Sequence, residues 1–290
     1  MNVSDVSQKS EKIVIYSSKN PLRNPIELFT DLFSSIKASR ELTWSLTIRD
    51  VTSKYRQTIL GYFWAIFPPV LTSLLFIFLQ KSSIINISSN LNVPYPVFIF
   101  SGSILWLLFT DSLNAPLRIL QSNKSMLAKI NFPREALLLS AFLQVMLDFF
   151  IRYVILLVVV FYFNYTLSWG ILFYPILSVL ICLFGMVLGI FLIPVGMLYS
   201  DITSAIPIVT QLWFFITPVI YDISLSSSTS IFFKLNPITY LFVAVRNTFL
   251  YGNFIQYLPI LIVYFSILLI ALFIAWITYK ITLPLLIERF

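Results

Sequence analysis

The 290-residue sequence has no histidine, one cysteine and seven glycines, and only 11% of its residues are charged. Without histidine the commonest general base and metal ligand is missing, which argues against most hydrolytic and metal-dependent reactions. Cys182 stands alone inside an apolar run, so one chain can build neither a disulfide nor a thiolate metal cluster. No GxxxxGKS/T motif occurs, so that phosphate-cradling loop is absent and any ATP-driven work needs another chain. A charge content so far below the roughly 25% of soluble domains also excludes an ordinary soluble protein.

What fills the chain is apolar: 59% of residues are hydrophobic, and mean hydropathy is +0.91. Several apolar stretches reach the roughly 20 residues that carry a helix across about 30 Å of hydrocarbon, whereas barrel strands would alternate over about 10. The expected fold is an all-α integral membrane protein. Its six transmembrane helices are placed at about 59–80, 97–115, 136–163, 171–198, 205–222 and 256–280, in a membrane domain of 58–290 preceded by a tail at 1–32 and a helix at 33–57. Residues 1–58 lack the early apolar core of a cleavable signal peptide, so the first span is expected to serve as the insertion signal. Lysine and arginine crowd the N-terminal segment and the loop 116–135 (Arg118, Lys124, Lys129, Arg134), while 81–95 holds only Lys81 and 164–170 none. By the positive-inside rule both termini are cytoplasmic. The net charge of +7 is accordingly read as membrane topology, with no nucleic-acid partner.

Residues 231–252, IFFKLNPITYLFVAVRNTFLYG, are long enough for a seventh span, but Lys234, Pro237 and Arg246 would then sit in hydrocarbon. Each charge near the centre costs about 2.5–3.5 kcal/mol, and a seventh crossing would move the basic C-terminus outside. An outer-side element that dips into the membrane and returns, sheltered by protein, fits better. On the opposite side, Trp44, Ile48, Val51 and Tyr55 share one face of a helix while Arg49 and Arg56 point away, the pattern of an interfacial amphipathic helix. Its cations suit anionic lipid or a cytosolic partner, and a plain membrane anchor explains the pattern equally. RDVTSKYRQTILGYFWAIFPPV, 49–70, is expected to join this helix to the first span by a continuous or tightly bent connection. The loop opening at Pro116 carries Leu117, Leu120, Met126, Leu127 and Ile130 among its cations, a short surface helix that needs either a bound subunit or its own spans to cover it.

Inside the membrane, Asp148 and Arg152 are four residues apart and are expected to pair on one helix face, as a structural lock or a pathway marker. Gly185 and Gly189 form a GxxxG suited to close helix packing. Aromatic residues concentrate in GYFWAIFPP (Tyr62, Phe63, Trp64, Phe67) and QLWFFITPVIY (Trp213, Phe214, Phe215, Tyr221), either lining a route or forming the interfacial belt.

Four blocks, RDVTSKYRQTILGYFWAIFPPV, NFPREALLLSAFLQ, YSDITSAIPIVTQLWFFITPVIY and NPITYLFVAVRNTFLYG, together resemble the membrane subunits of type-two ABC exporters for polysaccharides, the permeases for O-antigen, capsule and teichoic acid. The likeness covers about 30–285 and keeps the family's order. It implies a homodimer of six-span permeases bound to two copies of a separate ATPase, which holds the ATP and magnesium. The helix around 44–57 looks like the family's interface helix, placing Arg49, Tyr55 and Arg56 at the ATPase, and 117–131 looks like the coupling helix, adding Arg118, Lys124 and Lys129. Residues 224–252 look like a re-entrant helix pair before the last span, with Asn236, Pro237, Tyr240 and Arg246 at an outer gate. Aromatic side chains would guide a lipid-linked glycan, O-antigen by the opening stretch, across a bacterial inner membrane. Phe67 and Ser200 depart from the family's usual residues beside Pro68 and Asp201. A same-fold exporter of a small drug or lipid is the alternative. A membrane enzyme acting on lipid-linked sugar is disfavoured, because Asp111, Asp148, Asp201 and Asp222 are dispersed along different segments.

Overall fold

The computed structural model describes residues 25–56, 58–61, 63–82, 93–130, 132–166, 168–222, 233 and 235–288, with the side chains of 25–34 and of Tyr55 outside that description. The described residues are helical throughout, joined by short turns. The long helices are α1 (Pro25–Arg56), α2 (Phe63–Lys81), α3 (Tyr95–Ser122), α5 (Glu135–Tyr162), α6 (Gly170–Gly196) and α9 (Phe254–Ile287), and the shorter ones α4 (Lys124–Lys129), α7 (Ser200–Ile216) and α8 (Pro237–Tyr251). Five of them, α2, α3, α5, α6 and α9, are long and apolar enough to cross a membrane.

α3 is the central post. It packs on α6, α5, α2, α8 and α7, and Phe98, Ile104, Leu105, Leu108 and Phe109 along it are fully buried. The GxxxG of α6 lies on this helix: a Cβ at Gly189 would stand 2.4 Å from the Leu113 carbonyl oxygen, and one at Gly185 2.7 Å from that of Phe109. Only glycine permits so close a backbone approach, which supplies the packing contacts that replace the hydrophobic drive lost in lipid.

Four expectations are sharpened or revised. The connection from α1 to α2 is tightly bent, not continuous: α1 stops at Arg56, and Gly61 takes φ +51°, a left-handed turn that a side chain would strain. The helix of the second span does not end at 115; α3 continues through Pro116 to Ser122, with Ala115, Pro116 and Leu117 buried, and the six-residue α4 follows. The fifth expected span, 205–222, is a 17-residue helix that stops at Ile216, a length of about 25 Å by helical rise. The fourth revision concerns Asp148 and Arg152, whose partners are described below.

α8 runs from the end of α7 back to the loop before α6. Asn236 caps its start by accepting from the Ile238 N–H at 3.3 Å, while the Tyr165 hydroxyl donates to the Leu250 carbonyl at 2.6 Å at its end. Gly252, at φ +73°, closes the helix before α9 begins. Lys234 and most of the first half of the expected re-entrant pair lie outside the described residues.

Several prolines interrupt these helices, and the carbonyls they strand are met from neighbouring helices. Pro69 has no N–H for the carbonyl of Ala65, and Arg152 Nε donates to that oxygen at 2.9 Å. Pro175 likewise leaves the Ile171 carbonyl, which accepts the Tyr153 hydroxyl at 2.7 Å. In a membrane protein such orphaned groups must be satisfied by protein, so these side chains make the kinked helices tolerable.

Candidate functional site

Two polar systems run through this apolar body. The first follows α5, where Ser140, Gln144, Asp148 and Arg152 recur every fourth residue and so share a face. Opposite them, α1 presents Thr47, Asp50 and Lys54. Thr47 Oγ1 donates to Ser140 Oγ at 3.1 Å, Gln144 Nε2 to Asp50 Oδ2 at 3.2 Å, and Lys54 Nζ to Asp148 Oδ2 at 2.6 Å. Arg152 turns to α3, where its Nη1 donates to Asp111 Oδ2 at 2.7 Å. The expected local pair is thus replaced by two pairs between helices, because a neighbouring helix offers each side chain a partner in better line than one turn along α5. The buried face of α1 is Ser39, Thr43, Leu46 and Thr47, three small hydroxyl side chains and one leucine packed toward α5. Of the expected apolar face, Trp44, 59% exposed, and Ile48 stay outside and Val51 is half-buried, while the Tyr55 side chain lies outside the description.

At the end of this seam, Arg49 bridges to the turn after α3. Its Nε pairs with Asp50 Oδ1 at 2.7 Å and its Nη2 donates to Asn123 Oδ1 at 2.8 Å. A polar cavity of ≈ 310 Å³ opens beside it, lined also by Ser53, Ser122, Ser125 and Met126. Arg56, Arg118 and Lys129 are exposed and Lys124 is half-buried, whereas Leu117, Leu120 and Leu127 are covered by the chain's own core, leaving Ile130 exposed.

The second system is an open groove of ≈ 420 Å³ between α2, α3 and α7. Phe76, Trp106, Phe214 and Phe215 give it aromatic walls, with the Trp106 and Phe214 rings edge to face at 5.6 Å. Thr72, Thr110, Asn114, Thr210 and Gln211 put hydroxyls and amides between them. Thr110 and Asn114 are one turn apart on α3, and Asn114 Nδ2 donates to the Thr110 carbonyl at 2.7 Å. Gln211 is exposed and makes no hydrogen bond to another described residue. Polar groups left open to hydrocarbon are costly, so a groove of this make-up faces water, a polar ligand or another protein surface.

The aromatic residues expected to line a route divide. Phe214 and Phe215 do face the groove. Trp213 turns inward, edge-on to Phe109 at 5.2 Å, and donates from Nε1 to Asn236 Oδ1 at 3.0 Å. Phe63, Trp64 and Phe67 cluster on the exposed face of α2 and are not in the groove. Tyr221 donates to the Phe215 carbonyl at 2.7 Å, and Tyr62 lies outside the described residues. The sequence reading missed Trp106, Thr110, Asn114 and Gln211. Their signal was available as polar residues at helical spacing inside apolar spans.

Beyond the groove, Arg246 of α8 is fully buried. Its Nη1 donates to the Pro218 carbonyl at 2.5 Å, its guanidinium lies 4.0 Å from the Phe98 ring centroid, and Nη2 stands 3.7 Å from Asp222 Oδ1. The arginine therefore holds the chain after α7, as Arg152 meets the carbonyl that Pro69 strands in α2. Of the other expected gate residues, Asn236 is buried, Pro237 accepts the Tyr264 hydroxyl on its carbonyl at 2.7 Å, and Tyr240 is half-buried.

The sequence profile of the ABC-2 type transporter family matches residues 41–250, a stretch that holds both polar systems and α8. The chain is similar to the O-antigen export system permease protein RfbA of Myxococcus xanthus, 25% identical over 214 residues that make up 72% of this chain and 80% of the relative. Two proteins of the same name from Klebsiella pneumoniae are 25% identical over 227 residues (76% of this chain, 84% of theirs) and 24% identical over 213 (71% and 79%).

Proposed function

The chain belongs to the ABC-2 type transporter family, and on that premise we propose that it is the permease subunit of an exporter that moves a lipid-linked polysaccharide, an O-antigen, across a bacterial cytoplasmic membrane. The observation that carries the reading is the groove between α2, α3 and α7. Hydroxyl and amide side chains alternate there with aromatic rings, the combination that meets both the hydroxyl edges and the apolar faces of sugars. The names of the three relatives support the choice of O-antigen.

In this reading two copies of the chain face each other across their grooves, both termini lie in the cytosol, and two copies of a separate ATPase bind ATP and magnesium. Arg49, Tyr55 and Arg56 on α1, with Arg118, Lys124 and Lys129 around α4, form the surface that meets the ATPase. The Lys54–Asp148 and Arg152–Asp111 pairs then join that surface to α5, α3 and the kink of α2, a firm mechanical path from α1 to the groove wall. ATP binding by the partner would shift the permease between states that open the groove to either side. Affinity purification of the tagged chain from its own cells tests this: an ABC ATPase should accompany it, and deletion of either gene should leave the glycan inside the cytoplasmic membrane. Absence of any ATPase together with unchanged surface glycan contradicts the proposal.

A further inference from the structure

Among the described residues, none that lines the groove carries a charge. Its ten lining residues are all neutral, and five of them carry hydroxyl or amide groups. The helices that build it are nearly as bare. Between Phe63 and Gln80 in α2, between Tyr95 and Leu117 in α3, and between Ile202 and Ile216 in α7, the single charged residue is Asp111. That carboxylate is turned to Arg152 of α5, so the pair adds no net charge beside the groove. A second copy facing this one across a two-fold axis would bring the same neutral residues. Pores that pass anions or phosphates line themselves with arginine or lysine, because an anion that leaves water for a low-dielectric passage needs a counter-charge. Among the described residues, the two buried basic side chains near the groove's helices face away from it: Arg152 bonds Asp111 and Ala65, and Arg246 donates from Nη1 to the turn after α7 with Nη2 3.7 Å from Asp222.

We propose that this groove selects a polymer whose repeating units are uncharged, a neutral glycan, and discriminates against uronate-rich or phosphodiester-linked chains. Its sugar faces stack on Phe215 and on the partly exposed Phe214, which Trp106 backs from beneath, and its hydroxyls bond Asn114 and Gln211. The inference rests on the groove being the glycan's route, and it narrows the substrate class within that reading.

The chain's lone cysteine gives the test a clean background, since Cys182 is fully buried and Cys182→Ala leaves a reporter position unambiguous. In that background, the full chain in lipid nanodiscs carries Thr72→Cys at the groove wall or, as a control, Ile130→Cys on the exposed turn after α4. Maleimide labelling is followed with linear neutral gluco-oligosaccharides and with oligogalacturonates of equal length. Neutral oligomers should slow labelling of Thr72→Cys about tenfold, oligogalacturonates should not, and neither should affect Ile130→Cys; the difference corresponds to about 1.4 kcal/mol of discrimination. Adding Asn114→Ala with Gln211→Ala should abolish the protection. Equal protection by both oligomers, or protection by the acidic one alone, overturns the charge selection while keeping the groove as a sugar site. Protection by neither overturns the groove as a sugar site and the selection with it.

Discussion

Within the span of α5 the two charged side chains below its first turn are matched: Asp148 with Lys54, Arg152 with Asp111 and with the carbonyl that Pro69 strands. In the groove between α2, α3 and α7 there is no charge to match, and Gln211 reaches no partner among the described residues. The two regions hold polar atoms in the same apolar body and treat them oppositely. A charge inside the membrane is affordable only when its partner is fixed, so the α5 column is rigid and structural. Uncharged amides and hydroxyls are cheap enough to leave open for a substrate, so the groove can be polar without being sealed. On the proposed function, the intramembrane charges, which look like the functional residues in the sequence, are scaffold, and the plain threonines and amides are the site.

This contrast is broken most severely at Arg152. Arg152→Ala leaves Asp111 unpaired and the Ala65 carbonyl orphaned, a loss of about 3–5 kcal/mol that should remove most of the folded protein, read as membrane abundance and detergent thermal stability. The double change Asp111→Asn with Arg152→Met should recover part of that abundance, because it removes both charges together. Asp148→Ala is milder: its partner Lys54 has a side chain 47% exposed and can reach water, so about 1 kcal/mol should be lost and abundance should change little. Smallest in stability is Gln211→Ala, expected within about 0.5 kcal/mol of the parent in a thermal melt, since nothing in the described chain leans on that amide. Its effect should appear in export, as a severalfold fall in surface glycan, which separates site from scaffold.

Much of the architecture was legible from composition and hydropathy, because twenty-residue apolar runs without charge have one economical structure in lipid. The GxxxG at Gly185 and Gly189 was readable for the same local reason, since small residues one turn apart form a flat stripe. What escaped depended on distant partners. Arg152 is 41 residues from Asp111 in sequence and lies one turn from a tempting Asp148, and only the packing of α5 on α3 decides between them. Whether the junction at 49–70 is continuous or bent stayed open in the sequence, and the left-handed turn at Gly61 decides for the bend. Pro116 looked like a helix end, yet α3 passes through it because the buried face there packs on α6, with the Pro116 ring close beneath Gly189. Which aromatics face the groove was likewise hidden, because Trp213 and Phe214 are adjacent and only the fit of α7 against α3 sends one inward and the other to the groove.

The central claim is that the uncharged groove, and not the charged column, is where the glycan passes. Surface polymer measured in cells carrying Gln211→Trp, beside Leu269→Trp on the exposed face of α9 as a bulk control, tests it most directly. The account predicts that Gln211→Trp reaches normal membrane abundance and stops export while Leu269→Trp exports like the parent; export at the parent level from Gln211→Trp would contradict it.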